Sequence, residues 1–164
     1  MRIFLFALVT LLSCYLPINA TVVLGDFESL DSEWRFSAKS GLFSGTYMLD
    51  QKCWTQGNKS ALVNFEQVSS EQIRGWGWHS EFGMDWTDFD KISAAIMRHS
   101  GSDENLIYRM VTNRGIAAYG RIILPKPNTW YTVTWSLEEV RGLLTRVNSF
   151  VFMPSSHGSY SFDN

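Results

Sequence analysis

Cysteine is nearly absent from this chain. Its 164 residues include 2 cysteines, and Cys14 lies in an N-terminal stretch that reads as a leader, so a disulfide framework is excluded. Cys53 is left as a lone thiol, whose commonest use is as a small hydrophobe. Lys52 beside it favours the thiolate, but no histidine is near in sequence to complete a catalytic pair. Long apolar runs are missing as well. Ile3 to Leu12 is far shorter than the roughly twenty residues a spanning helix needs, and the mature chain is read as not membrane-spanning. Positive charge is scarce: 14 Lys and Arg face 16 Asp and Glu, for a formal net charge of −2. Losing the single charge of Arg2 with the leader makes it −3. No basic field exists to draw in phosphate backbones, so nucleic acid is excluded as a partner. Reaction motifs are missing too. There is no Gly-x-Ser-x-Gly elbow, phosphate-cradling loop, His-Glu-x-x-His or Cys-x-x-Cys. Asp85, Asp88 and Asp90 cluster, and a glycosidase needs two carboxylates across a cleft. Acids this close in a turn are read as solvated caps.

What the chain has in abundance is aromatic surface, with 7 Trp, 6 Tyr and 11 Phe, and such surface goes either into a core or onto a ligand. Residues 1–20 carry a basic start at Arg2, an apolar centre and a small residue at Ala20, the pattern of a signal peptide. Leu11-Leu12-Ser13-Cys14 also fits a bacterial lipobox loosely, which would lipidate Cys14. Either way the protein is expected outside the cytoplasm, secreted, periplasmic or at the cell surface. Asn58-Lys-Ser60 is a glycosylation sequon, meaningful in a eukaryotic host alone.

Residues 21–164 read as one domain of short strands. Asp85-Trp-Thr-Asp-Phe89 is a turn held by Asp85 and Thr87 and pinned from inside by Trp86 and Phe89. It leads into a strand with Ile92, Ala94 and Ile96 on one face and Ser93, Ala95 and Met97 on the other. Both faces are mostly apolar, which predicts an interior strand. Further strands are predicted at 21–28, 34–38, 45–49, 60–68, 73–82, 105–112, 117–124, 130–135 and 147–153. A last one from Ser159 reads as cut short at Asn164. Turns separate them at intervals that suggest a sandwich. Ser136-Leu-Glu-Glu139 matches a capping box and predicts one short helix running to Gly142.

In order along the chain, Gly25-Asp-Phe-Glu28, Asn58-Lys-Ser-Ala-Leu-Val63, Asp85-Trp-Thr-Asp-Phe89, Leu124-Pro125 followed by Trp130-Tyr-Thr-Val133, Ser136-Leu-Glu-Glu139 and Phe162-Asp-Asn164 form a set. This set resembles the galactose-binding-like β-sandwich (jelly-roll) modules joined to secreted polysaccharide-degrading enzymes, including the N-terminal module of some β-agarases. The resemblance covers about Leu24 to Asn164. It implies an all-β antiparallel sandwich with an incomplete last strand, a non-catalytic carbohydrate-binding role, and a C-terminal catalytic domain beyond Asn164. It also implies a structural Ca2+ ion held by Glu28 and Asp163, with backbone oxygens near Asn58 to Ser60. The plain alternative makes both acids ordinary polar strand ends.

A sugar-binding face needs an exposed aromatic ring with directional polar groups around it. Trp76-Gly-Trp78-His79 after Arg74 meets this on paper, because Trp76 and Trp78 project to one side and Gly77 leaves room for close approach. The same pair equally closes a sandwich. Trp54, in a polar loop, and Tyr119 complete the candidate set, while Trp34, Trp86, Trp130 and Trp135 are assigned to the core, and His99 and His157 to turns. The function expected is a polysaccharide-binding module anchoring a glycoside hydrolase. The alternatives are a fragment of the hydrolase or lyase itself, and a structural or adhesive exported sandwich.

Overall fold

The computed structural model describes residues 24–30, 33–36, 45–66, 75–101, 104–154 and 156–163. Among them are ten strands: β1 Trp34–Phe36, β2 Gly45–Asp50, β3 Ser60–Phe65, β4 Trp76–Met84, β5 Lys91–Ser100, β6 Asn105–Thr112, β7 Gly115–Ile123, β8 Trp130–Ser136, β9 Val147–Pro154 and β10 Gly158–Asp163. They form two five-stranded antiparallel sheets, ordered β1-β4-β9-β6-β7 and β2-β3-β10-β5-β8. The expected all-β sandwich is what the chain adopts. Among the described residues no helix is long and apolar enough to cross a membrane.

Aromatic rings from both sheets fill the space between them. Trp76 packs on Trp34 and, across the sandwich, on Phe162, each with ring centroids 4.7 Å apart, and on Tyr47 at 5.3 Å. Farther along, Trp135 meets Phe150 and Tyr108 at 5.2 Å. Large offset or edge-on ring pairs bury much apolar area per residue, which lets a core form without disulfides. The turn at Asp85 is pinned as expected. Asp85 Oδ1 accepts from the Thr87 N–H and hydroxyl, at 2.9 and 2.7 Å, Trp86 is 2 % exposed, and Phe89 packs against the core. The strand after it, β5, is interior, between β10 and β8.

Three local expectations differ from the structure. Leu24–Leu30 is irregular, because Asp26 turns the chain by accepting the Glu28 N–H at 3.1 Å and Phe27 takes a positive φ of 54° to enter the core. Thr21 to Val23 lie outside the described residues. The helix is a 3-10 segment, Glu138–Arg146, with Leu137 at its N-cap position and no side-chain cap. Ser136 accepts only a long bond from the Glu138 N–H, 3.4 Å, so the capping box does not close. The last strand pairs on both sides, with β3 from Gly158 to Phe162 and with β5 from Ser159 to Asp163.

Candidate functional site

Strand alternation turns Ala61, Val63, Tyr160, Phe162 and Ile96 into the core, so their neighbours line the outer face of the second sheet. The register sets Met48, Leu62, Ser161, Met97 and Trp130 side by side, one from each strand. Met48 is 48 % exposed and Trp130 is half-buried, whereas Met97 and Ser161 in the middle of the row are covered, at 2 % and 0 %, so the accessible surface lies at Met48, Trp130 and the loop. Loop 51–59 closes over one end of this row: the Cys53 thiol lies 4.0 Å from the Met97 sulfur and in hydrogen-bond contact with Trp130. Burial, then the charge of Asp50, pushes the Cys53 thiol up despite Trp130, the opposite of activation by Lys52. Next along the loop, Trp54 is 42 % exposed.

A polar chain runs beside the apolar row. Asn64 donates to the Thr46 hydroxyl at 3.2 Å and accepts from Ser159. His99 Nε2 lies 2.7 Å from the Ser161 hydroxyl, and its Nδ1 lies 3.3 Å from Asn128 Oδ1. Ser93 and Thr134 pair at 2.9 Å across the next strands. An apolar floor, an indole at its β8 edge and a line of fixed donors and acceptors are the elements that a pyranose chain requires. His99, in β5 and not in a turn, and Trp130 were not assigned to a site from sequence. The signal available was that Trp130 is one position out of phase with Tyr131, Val133 and Trp135, which face the core.

Of the residues singled out from sequence, the structure brings few together. Trp76 and Trp78 are 0 % and 1 % exposed and close the sandwich, so neither offers a face to a ligand. Gly77 serves this packing: a Cβ there would strike the Phe150 carbonyl and the Val151 backbone, so the space belongs to β9 and not to a sugar. His79 lies on the opposite, outer side of β4. Burial first, then Arg35 and Arg109, lowers its imidazole from 6.5 to about 4, against a hydrogen bond with the Arg35 backbone that raises it. Tyr119 is 59 % exposed on β7, a strand of the first sheet, and so does not share a face with Trp54. Arg74 lies outside the described residues. Trp34 and Trp86 are core and Trp135 packs against it, as expected, whereas Trp130 is a correction.

The calcium pair converges on one loop in an unexpected way. Asp163 Oδ2 accepts from the Thr55 N–H, from the Thr55 hydroxyl at 2.8 Å and from the Gln56 N–H at 3.0 Å. Glu28 Oε1 accepts from Asn58 and Lys59 N–H groups at 2.6 and 3.2 Å, while the Lys59 ammonium donates to the Glu28 carbonyl at 2.6 Å. Calcium seeks six to eight oxygens. Here amide donors surround the acids, and among the described residues no three His, Cys, Asp or Glu side chains gather to hold a metal. As placed, one oxygen of each acid forms a carboxylate-to-amide clasp on the loop. The other acid cluster is likewise structural. Hydrogen bonds from Thr87 hold Asp85 below the usual carboxylate range, and Asp90 pairs with Arg141 at 2.6 Å, whose other nitrogen donates to the Thr87 carbonyl at 2.8 Å.

No protein-family model and no curated protein matches the chain. Solved structures do. The fold is similar to the family 11 carbohydrate-binding module of cellulosomal cellulase Lic26A-Cel5E from Clostridium thermocellum, with a TM-score of 0.59 at 15 % identity over 85 % of this chain and 88 % of that one. It is similar to an exo-β-agarase, with a TM-score of 0.66 at 12 % identity over 85 % of this chain. It is also similar to the C-terminal family 22 module of Clostridium thermocellum Xyn10B, at 0.52 and 13 % identity over 84 % of this chain and 86 % of that one. The chain spans 23 % of the agarase. The architecture is thus the β-sandwich found in carbohydrate-binding modules.

Proposed function

We propose that the chain is a non-catalytic polysaccharide-binding module, with the outer face of the second sheet as its platform. The observation carrying this reading is the row Met48, Leu62, Ser161, Met97 and Trp130, flanked by the Asn64, Ser159, His99 and Asn128 side chains. Trp54 and Trp130 supply the stacking rings and the polar chain reads hydroxyl groups. Neighbours of the same architecture include xylan-binding domains and a segment of an agarase, which supports a neutral glycan as ligand.

In this reading residues 1–20 direct export, the module acts outside the cytoplasm, and it keeps a linked glycoside hydrolase near its substrate by raising effective concentration. Affinity electrophoresis in agarose, xylan and β-glucan gels tests it. The protein is retarded in at least one gel, and Trp130→Ala removes most of the retardation. Free migration in all three supports the alternative of a structural sandwich.

A further inference from the structure

The outer face of the first sheet has a different character. The registers place Arg35, Gly77, Val151, Arg109 and Tyr119 in one row, one residue from each of β1, β4, β9, β6 and β7. Arg121 stands opposite Ile107 one row along, diagonal to Arg109. Arg35 and Arg109 are three strands apart, roughly 14 Å at the usual strand spacing.

No residue paired with these arginines in the sheet is acidic: their partners are Gly77, Val151, Tyr119 and Ile107. Among the described residues the one salt bridge is Arg141 with Asp90, elsewhere in the fold. Arg109 keeps a buried Nε without a hydrogen-bond partner, and His79 a buried Nε2. Both arginines bear on His79, so their fields overlap in the space between them. Val151 is buried between them, Arg109 is half-buried, Arg35 and Arg121 are exposed, and Tyr119 is 59 % exposed.

Among the described residues none of these three arginines forms a salt bridge; of the acids, Glu33, just before β1, has a carboxylate that accepts from the Trp78 indole at 2.7 Å, and Glu81 of β4 is exposed. A guanidinium presents a planar fork that pairs in bidentate fashion with a planar carboxylate, more selectively than a lysine would. An exposed tyrosine beside such a fork offers a ring to a sugar. We infer that the outer face of the first sheet is a second glycan site, on which Arg35, Arg109 and Arg121 hold the carboxylates of a uronate-containing polysaccharide while Tyr119 stacks on an adjoining ring. This site is separate from the platform on the second sheet and does not depend on it.

The test is affinity electrophoresis and titration of the whole chain with alginate as the polyuronate, carrageenan as a sulfated control and agarose as a neutral one. Alginate binding is expected, weakening as salt rises because exposed charges are screened. Arg109→Ala and, separately, Arg35→Ala each weaken it about tenfold, as expected for loss of a charge-assisted pair, and Arg109→Lys restores only part. Trp130→Ala leaves it unchanged. Bound alginate also raises the His79 imidazole pKa, read by NMR in Arg35→Ala and wild type, because it places negative charge against the two cations. Unaltered alginate affinity in correctly folded Arg35→Ala protein would overturn the inference, as would carrageenan bound as tightly as alginate, or no alginate binding at all.

Discussion

His99 Nε2 lies 2.7 Å from the hydroxyl of Ser161, and that serine is 0 % exposed. The imidazole thus shields and satisfies a polar atom in the middle of a largely apolar row. His99→Ala leaves the hydroxyl without this partner. Denaturant unfolding should show a loss of about 1–3 kcal/mol, the usual cost of a buried unpaired polar group, and gel retardation should fall with it. Ser161→Ala in the same background should recover part of the stability but none of the binding.

The tryptophans separate by consequence. Trp76→Ala should cost about 3–5 kcal/mol, as large cavities in cores do, with the melting temperature as readout. Trp54→Ala and Trp130→Ala should change the melting temperature little and weaken glycan retention about tenfold, near the upper end of what an aromatic contact contributes. A Trp54 variant that unfolds easily but binds normally would remove that residue from the platform.

The two carboxylate clasps predict indifference to calcium. Asp163→Asn forfeits charge on an oxygen that accepts three bonds from Thr55 and Gln56, and hydrogen bonds to charged groups contribute about 1.5–3 kcal/mol. Thermal unfolding of that variant should begin earlier, while adding calcium or EDTA to the wild type should not move its transition. A clear upward shift with calcium would show that the remaining oxygens of Glu28 and Asp163 recruit the ion.

Acid should weaken the fold through His79. Its imidazole titrates near 4 in the folded chain and near 6.5 once unfolded. Above pH 6.5 both states are neutral. As pH falls from 6.5 towards 4 the unfolded chain takes up a proton that the folded one refuses, so stability declines across that window. His79→Gln should flatten this part of the stability profile, measured by urea unfolding at intervals of pH.

The architecture was legible because strands carry a period of two, and the stretch from Trp130 to Ser136 shows it plainly. Turn chemistry at Asp85 was equally readable, since an Asx side chain makes its bond two residues away. The site was harder. Trp76 and Trp78 alternate around a glycine just as an exposed pair would, and only the approach of β9 to Gly77 decides which way they face. Trp130 shows the converse: its strand is edge-placed in the second sheet, and a single step in phase separates an outward indole from the inward Tyr131. The row it joins is assembled from strands as distant in sequence as Met48 and Ser161, a juxtaposition set by sheet order. Glu28 and Asp163 meet one loop, but backbone direction at residues 55–59 determines that they meet N–H groups there, and that direction has no signature in residue type.

Strand β10 is the sole bridge between the β2-β3 hairpin and the β5-β8 pair. On a ribosome, the second sheet therefore stays in two halves until Asp163 has left the exit tunnel, and the Trp76 side chain lacks its Phe162 wall for all of that time. Pairing of β10 is thus the step that joins the two halves and closes the core around Trp76.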